Sequence, residues 1–277
     1  MRIGARGAAW AGLTGTAAIT LAVSGAGAGP VAQAVAQTNT TGVVPAGEPG
    51  PQAESETQDG AAAFPFIRID AEQRVVDVEG VVAVDAHHPD TPRVYLELIA
   101  CSPDSREHES LVVTQAKPSH LHAALLLIGL EPGTPGSWRT VGDAVERIAP
   151  QGDTVVVEIL TNPGTSQERA TPIESWVVNA EDGAVFFDGR WVFAGSRFIT
   201  VGSGDESREV YEADAAGTIV GLTTFGSEVI AWSGVISHLA GVDEPEWIAN
   251  AEAMPNRGEA VVLRFRAPSD DADGTSE

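Results

Sequence analysis

Cys101, Glu107, His108, Glu109, His120 and His122 all lie between positions 101 and 122. They include the only cysteine of the 277-residue chain and three of its six histidines. Thiolate and imidazole are ligand types that suit zinc or copper, so His108, His120 and His122, with Cys101, are candidates to hold a transition metal. Their spacing works against one shared ion. Two positions on a helix are separated by about 200° around the axis, so His120 and His122 would face different ways. In an extended Arg106-Glu107-His108-Glu109 run, His108 points away from the face shared by the two glutamates.

The same residues admit a catalytic reading. Glu107 and Glu109 could act as an acid–base pair, with Cys101 as a nucleophile. His120, in the first turn of a helix, would be kept neutral by the helix dipole and by burial, and a neutral imidazole can serve as a base. No Gly-x-Ser-x-Gly elbow, Walker loop or His-Glu-x-x-His helix accompanies them. One cysteine can neither hold an iron–sulfur cluster nor form an internal disulfide. No cofactor is expected, and the plainest reading is that these polar residues cap and flank ordinary elements.

Two strands and a helix must position them. Residues 93–101 (RVYLELIAC) and 111–114 (LVVT) read as strands. A hairpin between them would make 102–109 its connection and bring Glu107, His108 and Glu109 out beside Cys101. Residues 118–129 (PSHLHAALLLIG) read as a helix that starts at Pro118 and Ser119 and stops at Gly129. Leu121, Ala124, Leu125 and Ile128 recur on one face, and Leu126 and Leu127 widen it, which predicts burial on most sides. The helix start would then sit at the far end of the second strand, about 20 Å from the hairpin connection at about 3.3 Å per residue.

Strand signals also dominate 74–84, 154–160, 174–179, 190–196, 197–201, 218–225 and 259–267, with turn residues between them. Residues 141–149 and 244–254 are weaker helix candidates. Asp214-Ala-Ala-Gly217 reads as a hairpin turn. Gly195-Ser196 reads as a bulge or tight turn, and Trp191, Phe193 and Phe198 read as core aromatics. The expected fold class is mainly β with a few helices (α+β), mostly antiparallel sheets packed around one buried helix near residues 119–129.

The remainder of the chain sets compartment and partners. Arg2 and Arg6 precede an uncharged stretch from Ala8 to Val23, and alanine cleavage sites follow at 32–36, the layout of a secretory signal peptide over 1–36. Residues 37–63 and 268–277 have the composition of disordered segments, leaving 64–267 as a single domain. No later segment is long and apolar enough to span a membrane. The net charge of −23, with Lys117 as the only lysine, disfavours nucleic acid.

The runs "SREHESLVV…AKPSHLHAALLLIGLEPG", "WVFAGSRF" and "YEADAAGTIVGLTTFGSEVIAW" resemble the YdjY-domain family of exported bacterial proteins over roughly residues 68 to 240. The resemblance implies that the REHES and PSHLHAALL segments belong to one recurring feature, and it brings no reaction with it. The expected role is a non-catalytic binding module of the cell envelope, periplasmic or extracellular, for a protein, glycan or small molecule. The alternative is a periplasmic metal- or redox-linked enzyme, or an accessory subunit, centred on the REHES segment.

Overall fold

A computed structural model describes residues 64–88, 93–186 and 189–268. The segments read as a signal peptide (1–36) and a linker (37–63), and all but Pro268 of the tail, lie outside the described residues.

Eight strands form the framework: β1 (Val75–Val82), β2 (Leu98–Cys101), β3 (Ser110–Val113), β4 (Thr154–Thr161), β5 (Trp191–Val192), β6 (Thr218–Gly221), β7 (Ile230–Trp232) and β8 (Ala260–Arg266). Around the sheet they follow the order β1-β8-β4-β5-β7-β6-β2-β3, and β3 pairs back onto β1. The sheet is therefore a closed eight-stranded barrel, a size whose interior side chains can fill. Alternation along the strands supplies that filling. Val78, Leu263 and Ile159 sit in cross-strand register, as do Val76, Phe265 and Val157, and all six are buried in one core. The intervening positions face outward and carry paired charges. Arg264 forms a two-pronged bond to Asp77, at 2.7 and 2.8 Å, and Arg266 reaches Glu158 at 2.9 Å. An apolar interior under a charged exterior is the reverse of a lipid-facing barrel. Among the described residues no helix is long and apolar enough to cross a membrane.

Closure of the barrel overturns the expectation of sheets packed around a buried helix. Two α-helices are present among the described residues, α1 (Pro118–Leu127) and α2 (Glu212–Ala216). Neither is surrounded by sheet. α1 lies against α2, β1 and the strand Ile67–Asp70, and buries Pro118, Leu121, Ala124 and Leu125 on one face. Leu126 and Leu127 are exposed, so the apolar face is narrower than the sequence suggests. The helix ends as expected: Gly129 adopts φ +79°, and the Arg74 guanidinium donates to the carbonyls of Ile128 and Gly129.

The second correction concerns β2 and β3. They pair in parallel, with Leu98 opposite Ser110 and Cys101 opposite Val113, so no hairpin joins them. The connection 102–109 carries the chain back to the start of β2. Glu107, His108 and Glu109 form a single 3-10 turn whose last residue, Glu109, accepts the Glu97 N–H just before the start of β2, while Glu107 stays near enough to Cys101 for its charge to act on the thiol.

Three smaller readings also change. Residues 137–148 form an antiparallel hairpin instead of a helix. Trp247–Ala249 is a strand paired with Val177–Asn179, within the segment read as a helix at 244–254. Residues 214–217 are the end of α2, closed by Gly217 at φ +72°, where a hairpin turn was expected.

Candidate functional site

The residues singled out by type fall into separate surroundings. Cys101 is fully buried at the end of β2, and burial pushes its thiol up, away from the reactive thiolate. Glu107 caps its own turn by accepting the Asp104 N–H at 2.7 Å. The His108 side chain is 75% exposed, with Nε2 3.8 Å from Glu109. Glu107 and His108 line a cleft of about 670 Å³ together with Val84, Val94 and Arg257. His120 stacks on Phe64 at 4.8 Å between ring centres, with a buried Nδ1 that has no hydrogen-bond partner. Among the described residues, no three His, Cys, Asp or Glu side chains gather closely enough to hold a metal ion.

Glu109 finds a partner that sequence reading missed. Its carboxyl neighbours that of Glu97 and favours a proton there, and Arg106 Nη1 donates to Glu97 Oε2 at 2.7 Å. The Arg106 guanidinium also lies over the Phe225 ring, 4.5 Å from its centre. Burial above all, with the neighbouring Glu109, raises Glu97 to about 7 against the opposing pull of Arg106.

His122 is the one early candidate that opens into a structured pocket. The chain leaves β5 through Phe193-Ala194-Gly195-Ser196-Arg197, whose amides at Gly195 and Ser196 donate to Val229 and Glu228 carbonyls. Gly195 and Ser196 both take left-handed backbone conformations, φ +82° and +51°. The second is costly for a residue with a side chain and is held by its neighbours. Ser196 Oγ accepts the Ala213 N–H at 3.1 Å, and the Arg197 carbonyl accepts the Glu212 N–H at 2.8 Å. The loop thus caps α2, which in turn sends Asp214 to the start of α1. There its carboxylate accepts the Ser119 N–H at 2.8 Å and the Ser119 O–H at 2.7 Å.

Tyr211, immediately before α2, points its hydroxyl at the Gly195 carbonyl, 2.8 Å away. His122 Nδ1 lies 2.9 Å from that hydroxyl and 3.1 Å from the same carbonyl. One assignment of protons satisfies all three groups: Tyr211 donates to the carbonyl, and Nδ1–H donates to the carbonyl and the tyrosine oxygen. That places the lone pair of His122 on Nε2. Burial lowers the imidazole's affinity for a second proton and keeps it neutral, with the Gly195 carbonyl opposing. Phe193 and Tyr211 hold the ring edge-on at 4.9 and 5.6 Å.

These groups line an open pocket of about 320 Å³, completed by Ser119, Pro132, Gly133, Arg197 and Phe198. Phe198, read as a core aromatic, is 69% exposed at its rim, whereas Trp191 and Phe193 are buried as expected. Tyr211, Ser196 and Asp214 were not singled out for chemistry. Their only sequence signal was membership in the WVFAGSRF and YEADAAG runs, whose meeting with PSHLHAA is a product of the fold.

No curated protein and no solved structure shows significant similarity to the chain. The family model for the YdjY domain matches residues 67–266, the span from the strand before β1 to the last residue of β8, and the chain belongs to the YdjY domain family.

Proposed function

We propose that this chain is an exported, non-catalytic binding domain whose small-molecule ligand enters the His122 pocket. One observation carries the reading. Three segments far apart in sequence, at 119–122, 195–198 and 211–214, close around one open pocket and orient one another's polar atoms. A site of this kind, small and partly apolar with a few fixed polar groups, is how proteins hold small ligands. Its imidazole is neutral and the Ser119 and Tyr211 hydroxyl protons are already committed, which equips it to recognise a ligand through fixed polar atoms. Export is supported by the basic start, the uncharged stretch and the alanine sites of residues 1–36.

A protein-observed NMR screen of small polar fragments tests the binding role. Binders should shift the amides of Gly195, Ser196 and His122 and lose affinity in His122→Ala. Binders that map only to the cleft at Glu107 and His108 would move the function there. Export is tested by sequencing the mature amino terminus from the native host, expected between Gly25 and Thr38 instead of at Met1.

A further inference from the structure

We infer that the ligand of the His122 pocket is a neutral sugar ring, an inference that rests on the binding reading above. The pocket's charges come first. Arg197 is committed to Glu212 through two contacts, Nε to Oε2 at 2.5 Å and Nη2 to Oε1 at 3.3 Å. Asp214 is satisfied by the Ser119 amide and hydroxyl. A phosphate or carboxylate ligand would meet no uncommitted cation among the lining residues, and the chain's charge of −23 repels it at a distance. A cationic amine would meet no carboxylate among the lining residues, since Asp214 turns its oxygens to Ser119 behind them.

The pocket's hydrogen-bonding sense comes next. Ser119 gives its proton to Asp214 and Tyr211 gives its own to Gly195, while His122 keeps a lone pair on Nε2. His122 Nε2 is left as an acceptor, while the exposed Arg197 guanidinium, which spends only Nε and Nη2 contacts on Glu212, keeps N–H groups to donate, so the ligand must both donate and accept, as hydroxyl groups do. Shape supplies the third constraint. Phe198 stands at the rim, directly opposite Tyr211 in the strand pair 198–201 and 208–211, with the two rings 5.5 Å apart and inclined at 61°. Its free face is a flat apolar platform. A sugar ring has one face of C–H groups and an edge of hydroxyls that donate and accept, which matches a platform beside an acceptor and a donor. At about 320 Å³ the pocket is at the small end for ligand sites and takes one ring, with the rest of a glycan outside.

The test is titration of isotope-labelled protein with neutral disaccharides (maltose, cellobiose, diacetylchitobiose), an acidic one (digalacturonate) and a polyamine (spermidine). A neutral disaccharide should shift the Gly195 and Ser196 amides. Phe198→Ala should weaken it about tenfold by calorimetry, the loss of one aromatic contact, with Tm unchanged because the ring is exposed. Neutral-sugar binding undiminished in Phe198→Ala would overturn the inference. Binding of only the acid or the amine in this pocket would overturn the sugar class and leave the binding role standing. If no sugar, amine or fragment shifts these amides, both fall.

Discussion

The carboxyl of Glu109 neighbours that of Glu97, where its charge and its capacity to accept a hydrogen bond from a carboxylic acid both favour a proton on Glu97. Burial and the Glu109 neighbour raise Glu97 from an ordinary 4.5 to about 7. The folded protein therefore holds a proton there that the unfolded chain releases above 4.5. This contribution to stability is complete below 4.5 and is lost as pH rises through about 7. Glu97→Gln supplies a permanent N–H donor and should be more stable than the wild type at pH 8, with the advantage shrinking toward pH 5. Denaturant midpoints of the two proteins across that range give the measurement. A difference that does not change with pH would show that Glu97 holds no such proton.

Leu125 is fully buried on the inner face of α1, in the same core cluster as the barrel interior. Leu125→Ala should cost about 2–5 kcal/mol in equilibrium unfolding. Leu127, two positions on and exposed, should tolerate alanine within about 0.5 kcal/mol. Equal costs at the two positions would mean that α1 packs by a different face.

How far the sequence reveals this molecule depends on whether burial enforced a pattern. β1, β4 and β8 alternate because one side fills the barrel and the other meets water, and each was legible within a residue or two. The 137–148 hairpin was not. It is exposed along both strands, so nothing enforced alternation, and Val141, Ala144, Val145 and Ile148 happen to recur at helical spacing. The parallel pairing of β2 and β3 was also hidden, because parallel crossovers usually need about a dozen residues or more and 102–109 is shorter. That one error concealed Glu97 as the partner of Glu109. At the His122 pocket the chemistry-bearing residue types identified one member, His122. The others are a tyrosine, a glycine carbonyl and a serine whose roles exist only once β5, α1 and α2 meet.

Gly195 tests how tightly that meeting is constrained. Its φ of +82° is one that residues with side chains rarely adopt, and a Cβ there would lie 2.7 Å from Cβ of Pro132 and 3.4 Å from Cε1 of His122. Gly195→Ala should cost more than about 1 kcal/mol. It should also turn the carbonyl away from Tyr211 and His122, changing the imidazole resonances of His122 in NMR spectra. A variant as stable as the wild type with unchanged resonances would show that the loop adapts and that the carbonyl does not fix the site.

The last prediction concerns the proton that His122 refuses. Burial lowers its affinity for a second proton below the ordinary value of 6.5, so on acidification the unfolded chain protonates first. Stability is thus complete above about 6.5 and falls as pH drops toward the lower folded value, the opposite sense to Glu97. His122→Asn removes the titration, so the wild type should lose Tm relative to this variant as pH falls below 6.5, and not above it. Tyr211→Phe leaves His122 with the Gly195 carbonyl as its partner on Nδ1 and should cost about 1 kcal/mol without removing the pH dependence. Protonation of the folded protein turns Nε2 from an acceptor into a donor, so binding of a hydroxyl-donating ligand should hold through 6.5 and weaken only at the lower pH where the folded imidazole titrates. A wild-type Tm that tracks His122→Asn from pH 7 to pH 5, with ligand affinity constant, would mean that the imidazole is not desolvated and that the pocket's polarity is set elsewhere.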